Sequence, residues 1–221
     1  MIRRATLFLM AFGAGLLAQE TTPALQRMPL GTAGTLPADT TILSQRAAAA
    51  FAKKDWDGAR AAYQEMLTLD QENALAWANL GAVQQQAGLA KEALECFEKS
   101  VLYNPGLVQS WNALGLLYSA KGDSYQAMSM FSRAIHEDPE DARAHNYLAI
   151  TIRSLGWNAA AESELQRAIE LNPKFGIAHF NLALLYMDQR PPSTELAKMH
   201  YKKAQSLGVE KDEVLERRLA E

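Results

Sequence analysis

The chain has 221 residues, with 22 Lys plus Arg against 25 Asp plus Glu and a single cysteine. A net charge of −3 speaks against a nucleic-acid binder, which carries a clustered basic excess. One Cys excludes an internal disulfide framework and any multi-cysteine zinc site, and the length and 48% apolar share suit one ordinary globular domain or two small ones.

The chain opens on Met1-Ile2-Arg3-Arg4, followed by Ala5 to Ala18, apolar except for Thr6. That run is shorter than the roughly 20 helical residues that cross a bilayer core. A basic start, a short apolar stretch and small residues at its end read as a secretory signal peptide over 1–18; an uncleaved anchor or an ordinary buried helix are the alternatives. Gln19 rather than Cys follows the run, so lipidation is not expected. Loss of 1–18 removes Arg3 and Arg4 and no acid, leaving a net charge of −5. Residues 19–39, with Pro23, Pro29, Pro37, Gly31 and Gly34, show no hydrophobic period and are predicted to form a flexible linker. The folded body is expected from about Thr40.

Within that body the chain repeats. Pro105, Pro139 and Pro173 each follow Asn or Asp and lie 34 residues apart. Gly88, Gly122 and Gly156 keep the same interval, as do the columns Trp77/Trp111/His145/His179, Leu80/Leu114/Leu148/Leu182, Ala93/Ala127/Ala161 and Phe97/Phe131/Leu165. In the unit 74–107, Trp77, Leu80, Gly81 and Gln84 fall at i, i+3, i+4 and i+7, one face of an α-helix. Gly88 ends that helix in the left-handed conformation open to a residue without Cβ. Ala93, Phe97 and Ser100 form the inner face of a second helix, and Pro105 turns Asn104 away from helical dihedrals and stops it. The small residues Gly81, Gly115 and Ala149 let a neighbouring helix approach closely.

The pattern Trp-x2-Leu-Gly-x2-Tyr, Ala-x3-Phe-x2-Ala, Pro resembles the tetratricopeptide repeat, and the unit 108–141 matches it throughout: Trp111, Leu114, Gly115, Tyr118, Gly122, Ala127, Phe131, Ala134 and Pro139. The unit 74–107 departs at Gln84 and Ser100. The unit 142–175 keeps Leu148, Ala149, Gly156, Ala161, Ala168 and Pro173 but has His145 for Trp. Two units are weaker. The first, 40–73, has Ala47, Ala59, Tyr63 and Met66 in register and Gln71 where proline would stand. The last, 176–208, has a turn lengthened by about two residues at Arg190-Pro191-Pro192-Ser193, and atypical end units are expected of such arrays. Residues 209–221 are predicted to be a capping helix, with Val214, Leu215 and Leu219 on its apolar flank. The resemblance implies an all-α, right-handed superhelical solenoid of about five helical hairpins over 40–208.

Catalytic signatures are missing: there is no phosphate-cradling Gly-x4-Gly-Lys-Ser/Thr loop and no Gly-x-Ser-x-Gly elbow, so no enzyme, cofactor or metal is expected. His145 and His179 share the tryptophan column and read as packing residues rather than a metal pair; His200 is predicted on the outer face of its helix. Cys96 reads as a small, half-buried thiol, with a redox switch as the alternative. The resemblance implies that partners, a peptide or a helix of another protein, bind in a concave groove lined by the first helix of each repeat. Carried onto this chain, the candidate contacts are Asn112, Leu116, Arg143, Asn146, Ile150, Arg153, Phe180 and Leu184, with Ile177 and Met187 in the same rows; the asparagine amides would hold a peptide backbone. Similarity to bacterial periplasmic members implies an exported, periplasmic interaction scaffold serving envelope assembly, pilus or secretion systems, or polysaccharide export. The alternatives are an assembly factor anchored in the inner membrane by a retained N-terminus and a regulatory subunit of a separate enzyme such as a transferase. No nucleic-acid partner is expected, and contact with a membrane only through the N-terminal segment.

Overall fold

The computed structural model describes residues 38–220. The expected signal peptide and all but the last two residues of the expected linker lie outside them. The described residues hold eleven α-helices and no strand, the all-α class expected. The chain divides into two compact units between Lys121 and Gly122, inside the repeat 108–141.

The first unit contains α1 (Ala38–Ala52), α2 (Trp56–Leu69), α3 (Ala74–Gln86), α4 (Ala90–Tyr103) and α5 (Val108–Ala120). The second contains α6 (Ser124–Glu137), α7 (Ala142–Ser154), α8 (Asn158–Leu171), α9 (Gly176–Asp188), α10 (Thr194–Ser206) and α11 (Glu213–Ala220). Within each unit every helix packs on its neighbour in sequence. Burial follows the columns: Ala47, Ala59, Tyr63, Leu80 and Val83 close one core, and Ala161, Leu165, Ala168, Leu182, Ala197 and Tyr201 the other. Each large aliphatic side chain so buried contributes about 1.5–3 kcal/mol. The small residues act as sequence spacing implied. A Cβ on Gly81 would stand 3.0 Å from the Phe97 ring, so the bare Cα is what lets α4 lie against α3.

Helix ends are set by short polar side chains. Asp55, Asn73, Asp123 and Asp141 each accept a backbone N–H of the helix they precede, satisfying donors the helix leaves open. At the other end, Asp70, Asn104, Asp138 and Asn172 leave the helix in extended backbone. Each then accepts, at 3.0–3.1 Å, the N–H two residues on. Asp70 makes this turn without a following proline, so the side-chain bond holds the turn where the ring is missing. Gly88, Gly122 and Gly156 hold φ of 79–85° between the two helices of their repeats. Lys54 occupies the same column of the first repeat with φ 59°, a left-handed geometry that costs a residue with Cβ roughly 1–2 kcal/mol.

The last hairpin departs from the rest. Five residues, 189–193, separate α9 from α10, where three, 155–157, separate α7 from α8. Beyond Gly208 the chain returns so closely that a Cβ on Gly176 would meet Val209 Cγ2 at 2.9 Å. Helix α11 covers α9 and α10 with Leu215 and Leu219 buried. Val214 is 45% exposed, which corrects the predicted flank: Leu215 and Leu219 are one turn apart on the buried side, and Val214, one residue earlier, is rotated about 100° off it.

Candidate protein-binding surface

The tryptophan column is a staple. Trp77 Nε1–H donates to Gln71 O at 2.8 Å and Trp111 Nε1–H to Pro105 O at 2.6 Å. Where histidine replaces tryptophan, Nε2 takes the same place, 3.1 Å from Pro139 O for His145 and 3.4 Å from Pro173 O for His179. Each ring thus ties the first helix of its repeat to the carbonyl six residues earlier. The other nitrogen differs: His145 Nδ1 lies 2.6 Å from Glu164 Oε2, and His179 Nδ1 lies 3.0 Å from His200 Nδ1. His200 is half-buried and stacked on His179 with ring centroids 5.2 Å apart, so its predicted outer-face position is corrected. Among the described residues no group of three or more His, Cys, Asp or Glu could hold a metal. Cys96 is buried and burial pushes its thiol up to about 11, which keeps it protonated and unreactive near neutral pH.

Of the residues assigned to partner contact, the structure withdraws some from the surface. Asn146 is fully buried and its Oδ1 accepts from Asn181 Nδ2 at 2.8 Å, while its buried Nδ2 meets no acceptor among the described residues; the side chain lies inside the hairpin array and is not presented to a peptide. Phe180 is 1% exposed and packs beside Tyr201 with ring centroids 6.2 Å apart. Asn112 is also buried. Both asparagines and Phe180 sit on the sides of their helices that meet neighbouring helices, a direction that repeat position alone does not separate from the open side. In the first unit Leu116 is half-buried.

In the second unit Ile150 on α7 and Ile177 and Leu184 on α9 are half-buried, while Arg143 is exposed and holds Asp141 at 3.2 Å. At the end of α7, Arg153 Nη2 lies 2.5 Å from Asp188 Oδ2. From α11, Arg218 Nη2 donates to Asp188 Oδ1 at 2.9 Å and to Met187 O at 2.8 Å. This three-way cluster was invisible in sequence, where 153, 188 and 218 are far apart and share no motif. It borders a cavity of about 450 Å³ lined by Met187, Asp188, Gln189, Arg190, Pro191, Pro192 and Arg218. No helix among the described residues is long and apolar enough to cross a membrane.

Two family models, each described as tetratricopeptide repeat, match residues 50–117 and 108–141. This chain is a tetratricopeptide-repeat (TPR) protein. Solved TPR structures share its all-α solenoid fold. MamA is 25% identical over 73% of this chain and 93% of its own, with a TM-score of 0.65. PilF of Pseudomonas aeruginosa is 19% identical over 82% of this chain and 83% of its own, with a TM-score of 0.73. YrrB, described as a TPR protein with an unusual peptide-binding site, is 21% identical over 81% of this chain and 95% of its own, with a TM-score of 0.61. No curated protein matches the sequence. A TPR array of this kind serves protein–protein interaction.

Proposed function

We propose that this TPR protein is an exported, non-catalytic scaffold that captures a peptide or helix of a partner protein on the first helices of its second unit, in the service of envelope assembly, a pilus or secretion system, or polysaccharide export. The observation that carries the reading is the apolar surface left at Ile150, Ile177 and Leu184, flanked by Arg143 and Arg153. Half-buried aliphatic groups rimmed by guanidinium are the composition of an interface rather than of a free surface. The assigned contacts are Arg143, Ile150, Arg153, Ile177 and Leu184, without the buried Asn112, Asn146 and Phe180. Export rests on residues 1–18, and the intact mass of the protein recovered from its native envelope tests it: loss of 1–18 supports a released scaffold, retention an anchored one.

The binding face is tested by Ile150→Glu. The position is half-buried, so helicity should hold while capture of the native partner from envelope extracts falls about tenfold or more, the size of a lost anchor at a desolvated contact. Undiminished capture by a folded variant refutes the face.

A further inference from the structure

The lengthened turn between α9 and α10 creates a feature that the other hairpins lack. Its extra length carries Arg190, Pro191 and Pro192 past the end of α9, where with Arg218 of α11 they wall a cavity of about 450 Å³. Pro191 and Pro192 give it a rigid, apolar side. Its charge is lopsided. Asp188 is the one acid in the lining, and it already accepts from two guanidinium groups, Arg153 on one oxygen and Arg218 on the other. Arg218 uses Nη2 for both its contacts and keeps the donors on Nη1 and Nε. Arg190 forms no ion pair among the described residues.

Two acids of flanking helices among the described residues are engaged elsewhere. Glu195 pairs with Lys198 at 3.2 Å, and Glu162 accepts from Tyr186 Oη at 3.0 Å and Gln189 Nε2 at 3.4 Å. Nor is Arg190 needed to cap α9, because Arg218 already takes the Met187 carbonyl and the Ser193 N–H takes that of Tyr186. The lining thus sets two arginines against one acid, and that acid is also shared with Arg153, on a chain whose net charge is −3.

We propose that this cavity is a recognition site for an acidic side chain of the partner protein: a Glu or Asp carboxylate bridges Arg190 and the spare donors of Arg218, while an adjacent apolar residue rests on Pro191, Pro192 and Met187. The inference rests on the reading of the protein as a scaffold and names the chemistry of its partner. A planar guanidinium with paired N–H donors fits a carboxylate better than a point charge would. The partner segment then lies across the α9–α10 turn, with its acidic residue set at that end of the contact face.

The test uses the whole protein and a fluorescently labelled, C-terminally amidated peptide with leucine flanked by two glutamates, read by anisotropy. The expected result is saturable binding that weakens steeply with salt and falls about tenfold when both glutamates become glutamine, one charge-assisted contact being worth about that factor. Arg190→Glu should lose a comparable factor with an unchanged melting temperature, since Arg190 holds no partner among the described residues. Equal binding of the glutamine peptide, or of the Arg190→Glu variant, overturns the proposal. So does binding seen only with a free C-terminal carboxyl group, which would assign the site to chain ends. If these arms fail while Ile150→Glu still abolishes partner capture, the acidic-side-chain site falls and the scaffold reading stands.

Discussion

The hairpins α7–α8 and α9–α10 place a histidine in the same column, aim Nε2 at the equivalent backbone carbonyl, and shift its pKa in opposite directions. Around His145 both neighbours are acceptors, the Pro139 carbonyl and the Glu164 carboxylate. Two acceptors suit a ring with both nitrogens protonated, and the hydrogen bond to Glu164 raises the His145 pKa above the ordinary histidine value against the opposing effect of burial. Around His179 the Pro173 carbonyl fixes the proton on Nε2, leaving Nδ1 to accept from His200 Nδ1–H. Burial lowers both rings of this pair, Lys203 adds to the effect on His179, and His179 itself depresses His200. The two histidines do the same structural work and differ in what faces them from the second helix: Glu164 raises His145, while His179 faces His200 and is lowered chiefly by burial.

Alanine at either histidine should have the largest effect. Each ring is about 7% exposed, and losing it with its two hydrogen bonds should cost about 2–4 kcal/mol. The pH dependence should differ in sign. A base whose folded value is raised contributes stability that is full below about 6.5 and is lost as pH rises through the raised value. His145→Ala should therefore cost more in mild acid than in mild alkali. A base whose folded value is lowered contributes above about 6.5 and loses that contribution as pH falls, so His179→Ala should cost more in mild alkali. Denaturation curves at several pH values check both; parallel profiles would dissolve the contrast.

An intermediate effect is expected of His200→Glu, which rebuilds the environment of His145 around His179. The His179 resonance should then titrate above rather than below the ordinary histidine value in an NMR pH series. A value left low would show that burial, not the facing group, sets the charge. The smallest effect is expected of His145→Trp, which restores the residue of the first two staples. The indole N–H can keep the bond to Pro139 O, so stability near neutral pH should change by less than about 1.5 kcal/mol. The alkaline loss attributed to His145 should vanish from the profile.

How far these features were legible in the sequence depends on their range. The fold class was readable because its determinants are local and recur: turn glycine, boundary Asx residue, close-packed Ala and Gly, aromatic staple. Lys54 was not, because a lysine in left-handed backbone carries no signature of its own; only the three glycines in its column point to it. His200 was misplaced because the two-residue lengthening of the preceding turn, though visible, was not carried through to its column. Counted with the insertion, His200 falls in the column of Glu164 and faces inward. The contact face was blurred for a related reason. Repeat position names the helix side toward which a residue points, but Asn146 and Phe180 stand where that side turns against the next hairpin, and their burial depends on a neighbour that no single unit specifies. The Arg153–Asp188–Arg218 cluster joins three segments that only the folded chain brings together.

The turn glycines have a consequence for handedness. At Gly88, Gly122 and Gly156 a side chain would meet nothing within 4 Å, so what bars ordinary amino acids there is the sign of φ and not lack of room. Their mirror-image forms prefer that sign. A D-alanine introduced by chemical synthesis at these three corners would match the sign of φ and curtail the wandering of the unfolded polymer, so that a repeat of L-residues would be stiffened by borrowing the opposite chirality at its bends.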